Sequence, residues 1–222
     1  MVRSRVRILA VLLGILLAGS LAAAVLYPSS SEIVKSCCIQ VPENKDLPVL
    51  KKAGDFELLN QDGEKVPFSR FHDVVKIVSF IFIKCSMPTM CPLTTKNLRR
   101  LQKLLDEDLS REVVLLSITF DPESDTPAAL KRYGELYGAN FSNWHFLTGS
   151  LPAIDRVCED YEIIHEKTDG DLIRHSVITF LIDGADNVRK MYFANKWKPE
   201  DLKQDIVALL GEAERHVPPT DR

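Results

Sequence analysis

Cys85 and Cys91 enclose Ser-Met-Pro-Thr-Met and are followed at once by Pro92. A cysteine thiolate is both a strong nucleophile and a soft ligand, so a close pair can form a disulfide or hold a metal such as copper between its sulfurs. Five intervening residues, Pro88 among them, leave enough chain to bring the two sulfurs together. Cys91 stands where a helix should begin, and the free N–H groups and dipole of that end favour its thiolate over its thiol. Lys84 adds a positive charge nearby. Among the histidines, His175 is the one placed to join them. It directly precedes a strand-like run, Val177 to Ile182, and imidazole combines readily with thiolates in copper sites. Met87 and Met90 lie inside the cysteine loop; their thioethers are soft enough for Cu(I), and loop packing is their simpler role. His72, His145, His165 and His216 are assigned to surface or structure, and Cys158, among apolar neighbours, to the core. Cys37 and Cys38 are adjacent, which strains a disulfide between them and leaves pairing with other chains or reaction with oxidants.

Positioning these groups takes a strand that ends at the first cysteine and a helix that starts at the second. Val74 to Ile83 is nearly continuous in Val, Ile and Phe, the composition of a strand buried on both faces. From Pro92 to Leu109, Leu93, Leu98, Leu101, Leu104 and Leu105 recur at helical spacing among lysines and arginines, predicting an amphipathic helix. Val113 to Phe120 is the next strand. Asp121 then turns the chain, and Asp125 or Thr126 caps a helix that Pro127 opens and that runs to Tyr137. Trp144 to Leu147 is a short strand, Leu151 to Cys158 a short helix, and Tyr161 to His165 an extended piece. Val177 to Ile182 and Val188 to Phe193 read as an antiparallel pair, and Pro199 to Leu210 as a closing helix. At the front, Phe56 and Leu58 face Val66 and Phe68 across Asp62-Gly63, a step suited to a tight β-hairpin. The pattern is α/β, a central mixed sheet flanked by helices. In such sheets, sites form at the carboxyl ends of the strands, where the cysteine pair falls.

A chain of 222 residues holds one domain of ordinary size with segments to spare. Its formal net charge of −3 supplies no basic field, which excludes nucleic-acid binding as a class. Arg3, Arg5 and Arg7 precede an uncharged apolar run from Ile8 to Leu26, so residues 1–27 read as a membrane anchor or signal segment. Its length favours an uncleaved single-pass anchor, although Ala22-Ala23-Ala24 offers a cleavage site. The arginines stay cytoplasmic, which puts the folded part on the periplasmic or extracytoplasmic side of the cytoplasmic membrane, where thiols meet oxidants. Residues 28–50 read as a linker, 51–213 as the folded domain and 214–222 as a flexible tail.

Several of these stretches together resemble the SCO/SenC family, membrane-tethered thioredoxin-like proteins associated with copper delivery to cytochrome c oxidase. They are Gly54-Asp55-Phe56-Glu57-Leu58 with Asp62-Gly63, the strand Ile77 to Ile83 running into Cys85, Cys91-Pro92, the phrase from Ser117 to Pro127, and His175-Ser176. The resemblance implies a thioredoxin-like fold, a copper ion held by Cys85, Cys91 and His175, a copper donor protein, and the oxidase's copper-site subunit as recipient. Two departures stand out. The family's usual copper protein has three residues between its cysteines rather than five, and commonly an acidic residue where this chain has Arg174. A cation beside the ligand weakens attraction for a metal ion and favours the thiolates instead. Two functions follow. One is copper delivery; the other is a thiol-disulfide oxidoreductase that keeps cysteines of an exported or oxidase-subunit partner reduced, with one of Cys85 and Cys91 attacking and the other resolving. Peroxide reduction fits less well, because no threonine stands in register just before either cysteine of the pair.

Overall fold

The computed structural model describes residues 46–167 and 173–215. The apolar run at 8–26, Cys37, Cys38 and His216 lie outside the described residues. In chain order the elements are β1 (Lys51–Lys52), β2 (Glu57–Leu59), β3 (Lys65–Pro67), β4 (Val75–Ile81), α1 (Cys91–Leu104), β5 (Val113–Thr119) and α2 (Pro127–Tyr137). There follow β6 (Trp144–Leu147), α3 (Leu151–Asp160), β7 (His165–Lys167), β8 (Ile173–His175), β9 (Ile178–Ile182), β10 (Asn187–Phe193) and α4 (Pro199–Arg215). Six strands form one sheet in the order β1-β10-β9-β4-β5-β6; β2 with β3 and β7 with β8 form separate two-stranded ribbons.

The apolar runs take the centre. Every residue of β4 and β5 is buried, and the two pair in parallel from Val75 with Val113 to Ile81 with Thr119. Such strands need cover on both faces. Right-handed crossovers place α1 and α2 on one face. There, Ser79 and Ser117 share a hydrogen bond, the Trp144 indole donates to Ser117, and Phe146 meets Tyr133 of α2 edge-on. The other face carries Phe80 against Tyr161, just past α3. β9 runs antiparallel to β4 and completes a mixed sheet with helices on both sides, the thioredoxin-like class expected. The buried Lys76 ammonium on β4 is paired with Asp186 and donates to the Asp183 carbonyl at 3.0 Å.

The closing helix runs on to Arg215, past the expected Leu210, and three other boundaries differ from expectation, each for a local reason. The helix from Cys91 stops at Leu104 rather than Leu109: Leu105 turns extended, and Asp106 accepts the Leu109 N–H at 3.0 Å to start a 3-10 turn over Leu109–Arg111. A short aspartate that bonds nearby backbone competes with the helix in this way. Tyr161 caps α3 instead of opening a strand, and Glu162 takes a positive φ of 56°, so pairing begins only at His165. The domain's hydrogen bonding begins before Lys51: the Leu47 N–H donates to Glu212 at 2.8 Å and the Leu50 N–H to the Val188 carbonyl at 2.8 Å. Among the described residues no helix is long and apolar enough to cross a membrane.

Candidate metal centre

At the carboxyl end of β4 the chain turns through Phe82 and Ile83 to Cys85, whose N–H donates to the Phe82 carbonyl at 3.3 Å. Cys91 is the first residue of α1 with Pro92 behind it, a place where proline's missing N–H costs nothing. The longer loop still brings the thiols together because it folds on itself. The Met90 N–H donates to the Met87 carbonyl at 3.1 Å, closing a turn, and the Cys85 thiol points at the same carbonyl at 3.9 Å. His175 arrives from the β7–β8 ribbon, of which it is the last residue. The ligand atoms of Cys85, Cys91 and His175 all lie within 4.8 Å of one another, and the His175 Nε2 is 3.7 Å from the Cys91 sulfur.

The imidazole is set up for this role by its other nitrogen. His175 Nδ1 lies 3.1 Å from the Ser176 carbonyl, which only an Nδ1–H can satisfy, so the lone pair is on Nε2 and faces the sulfurs. A backbone carbonyl on the distal nitrogen is the usual way proteins orient a metal-ligating histidine. Phe120 lies against the ring with centroids 4.5 Å apart and Phe82 meets it edge-on at 5.7 Å, so rotation is blocked. Burial holds the imidazole pKa below its ordinary value, keeping it neutral and able to coordinate.

The Cys91 thiol departs from expectation. It is 1 % exposed, and burial, with the neighbouring Cys85 adding to it, pushes its pKa up instead of down. Two thiols and a neutral imidazole in a largely buried pocket are a poor place for bare negative charge and a good one for a soft cation that supplies the compensating charge. Bonds of about 2.0–2.3 Å from such donors to one ion, at tetrahedral or trigonal angles, separate the donors by roughly 3.5–4 Å. The observed spacing therefore needs only small side-chain adjustments. The donor set and its geometry fit a copper-sized ion.

The remaining candidates stand apart. Met87 is 52 % exposed, while Met90 packs on the core. His165 pairs with His175 across the ribbon, but its Nε2 is taken by Asp155 at 3.1 Å. His72 is exposed beside Asp73, and His145 lies against Phe71. Cys158 is buried and its thiol is pushed up to about 12 by burial, as suits a core residue. Asp121 accepts turn hydrogen bonds and Thr126 is the cap of α2, its side chain accepting from the Ala129 N–H. Asp125 does neither. Its carboxylate turns inward, a role that cap chemistry in the sequence conceals. Phe120 was also not singled out; its position at the end of an apolar strand was the available signal.

Against known proteins, a SCO1/SenC family model matches residues 45–211. The chain is 32 % identical over 169 residues to the SCO1 protein homolog of Bacillus subtilis, covering 75 % of this chain and 84 % of that one. Among solved structures it superimposes on Arabidopsis thaliana ScoI with copper bound at a TM-score of 0.63 with 26 % identity, over 72 % of this chain and 98 % of that one. BsSco, described as having a disulfide switch and as a member of the Sco family of cytochrome c oxidase assembly proteins, gives a TM-score of 0.64 and 29 % identity, over 75 % and 98 %. With a family model spanning most of its length, the chain belongs to the SCO1/SenC family.

Proposed function

We propose that this protein carries copper for the assembly of cytochrome c oxidase, binding the ion through Cys85, Cys91 and His175 and passing it to the oxidase's copper-site subunit. The observation that carries this reading is the convergence of three soft or borderline donors within 4.8 Å, with the imidazole lone pair turned toward the sulfurs. Relatives described as copper-bound support it. Copper is cargo here. The two thiols release their protons as it arrives, the neutral imidazole supplies a third donor without proton loss, and Phe120 with Phe82 keeps the ring in place. In this reading residues 1–27 anchor the protein in the cytoplasmic membrane, and the domain faces the periplasmic or extracytoplasmic side, where it meets a copper donor and the recipient.

The test is anaerobic copper titration of the reduced protein and of Cys85→Ser, Cys91→Ser and His175→Ala, following stoichiometry and thiolate-to-copper absorption. One ion per chain, with comparable loss in all three variants, is expected. A wild-type protein that stays metal-free would overturn the reading. A second reading, thiol-disulfide exchange with an exported partner, draws on the nearness of the two sulfurs and on the disulfide switch described for BsSco. A mixed disulfide trapped when either cysteine is replaced by serine would favour it.

A further inference from the structure

We infer that Asp125 and Asn195 are positioning residues that clamp the two ends of the cysteine loop and so set the Cys85 to Cys91 spacing. The inference rests on the reading of Cys85, Cys91 and His175 as one site, and it asks what holds a five-residue loop to that geometry.

At the upstream end, the Ile83 N–H, two residues before Cys85, donates to Asp125 Oδ2 at 3.1 Å. The same oxygen accepts the Thr119 hydroxyl at 2.7 Å, and the Asp125 N–H is held by the Asp121 carbonyl at 2.9 Å. Asp125 is 1 % exposed, so this carboxylate ties the loop to the end of β5 from inside the protein. At the downstream end, the Asn195 side-chain amide donates to the carbonyls of Thr89 and Met90 at 3.1 and 3.0 Å, directly before Cys91. Its Oδ1 accepts the Thr94 hydroxyl at 3.0 Å. The amide orientation is forced, since the flipped form would aim an oxygen at two carbonyls.

Asn195 is also coupled to the third ligand. Ala194 takes a left-handed φ of 52°, unusual for a residue with a Cβ, and its N–H donates at 2.7 Å to the Val177 carbonyl, two residues after His175. One tight turn thus bonds backbone beside Cys91 and backbone beside His175. Between the clamps, Ser86 to Thr89 are exposed, and the loop's own restraints are the Met87 to Met90 turn and one long thiol contact. The anchoring therefore comes from outside the loop.

The experiment uses the full chain in a mild detergent. Asn195→Asp keeps the shape and the Thr94 contact but replaces the two donors by an anion; Asn195→Ala removes the donors without adding charge. Asp125→Ala removes the acceptor, and Asp125→Asn retains one. Two readouts are taken. The first is copper affinity with the position of the thiolate-to-copper absorption. The second is metal-free: equilibrium with glutathione, in which Cys85 and Cys91 lose two electrons and two protons to form one S–S bond while one glutathione disulfide becomes two glutathiones. The Cys85–Cys91 product is quantified by peptide mass after alkylation.

Both Asn195 variants and Asp125→Ala are expected to bind copper about tenfold more weakly, with a shifted absorption, and Asp125→Asn to stay near wild type. The glutathione equilibrium should fall about tenfold, a rise of about 30 mV in potential at n = 2. If Asp125→Ala fails to fold, the Asn195 variants decide. Folded Asn195 variants with wild-type values in both readouts overturn the clamp. If the wild type binds no copper but the glutathione equilibrium still shifts in the variants, the copper reading fails and the clamp stands.

Discussion

Asp125→Asn offers a test of the fold's electrostatics with a defined sign. Burial pushes the Asp125 carboxyl up to about 6 from its ordinary 3.8, against the Thr119 hydroxyl and Ile83 N–H, which favour its charged form. The folded protein therefore holds this proton more tightly than the unfolded chain does. Well below pH 3.8 both states are protonated and the group makes no pH-dependent difference. As pH rises through the window from 3.8 to about 6, the unfolded chain ionises first and stability is lost. The loss is complete above the folded value, and the gap, at 1.36 kcal/mol per pH unit, is worth about 3 kcal/mol as an upper bound. Asparagine keeps an acceptor for Thr119 and Ile83 but does not titrate. The assay is urea denaturation of the reduced, metal-free protein and of Asp125→Asn, in parallel from pH 4 to pH 8. Other groups cancel in the difference between the two. That difference should move in favour of Asn by about 2–3 kcal/mol between pH 4 and pH 8, nearly all of it by pH 7. A difference that is flat with pH, or that moves toward Asp as pH rises, would refute the buried-carboxylate argument.

Gly134 in α2 leaves no room for a side chain: a Cβ there would meet Phe141 at 2.7 Å and Phe146 at 2.9 Å. Gly134→Ala should cost about 1–3 kcal/mol from overpacking, exceeding the roughly 1 kcal/mol of added helix propensity, and lower the urea midpoint. Thr126→Ala removes the side-chain acceptor for the Ala129 N–H at the start of α2 and should cost about 1 kcal/mol by the same measurement, with copper affinity unchanged. Copper capture should weaken as pH falls, because two thiols must shed protons. At acidic to neutral pH the apparent affinity should drop by up to about 100-fold per pH unit, read by competition with a chelator of known proton dependence. Affinity that is flat between pH 5 and pH 7 would show that the thiols are not both ligands.

Much of the fold was legible because its strands advertise their burial. Val75 to Ile81 and Val113 to Thr119 carry so many β-branched and aromatic residues that only a doubly covered strand suits them, and Pro127 and Pro199 mark helix starts by chemistry. The β7–β8 ribbon was not legible. His165-Glu166-Lys167 shows no alternation of apolar and polar residues, and its pairing with Ile173–His175 is a tertiary fact. The same limit applies at the site. Cys85 and Cys91 declare themselves by spacing, but the turn that compensates for the longer loop is a single backbone bond between Met87 and Met90. Asn195, which holds that turn's last carbonyl, sits more than a hundred residues downstream with no local signature. Of the two cap candidates the sequence offers, Asp125 and Thr126, only Thr126 takes the cap, and nothing local marks Asp125 as the one that turns inward.

The Cys91 thiol shows why local rules can point the wrong way at a functional site. A helix start stabilises a nearby anion by about 0.3–1 kcal/mol at the surface and up to ~2 kcal/mol when partly buried. Withdrawing a charge from water costs several kcal/mol even after the protein relaxes. At 1 % exposure, with a second thiol within 4.8 Å, desolvation wins and the resting state is the protonated one. A thiol kept in that state is a weak nucleophile, because attack on a disulfide scales with the thiolate fraction and with access, and Cys91 is short of both. A metal ion changes the balance in a way a disulfide substrate does not: it brings positive charge into the pocket and turns the same burial from a penalty on the thiolates into insulation of their bond to the ion. The orientation of His175, with Nδ1 bound to a carbonyl and Nε2 3.7 Å from the Cys91 sulfur, supplies a coordinating nitrogen and equally an acceptor for the thiol proton, so it serves either chemistry. It is the burial of Cys91, which disfavours the free thiolate that exchange requires, that weighs toward a site built for copper.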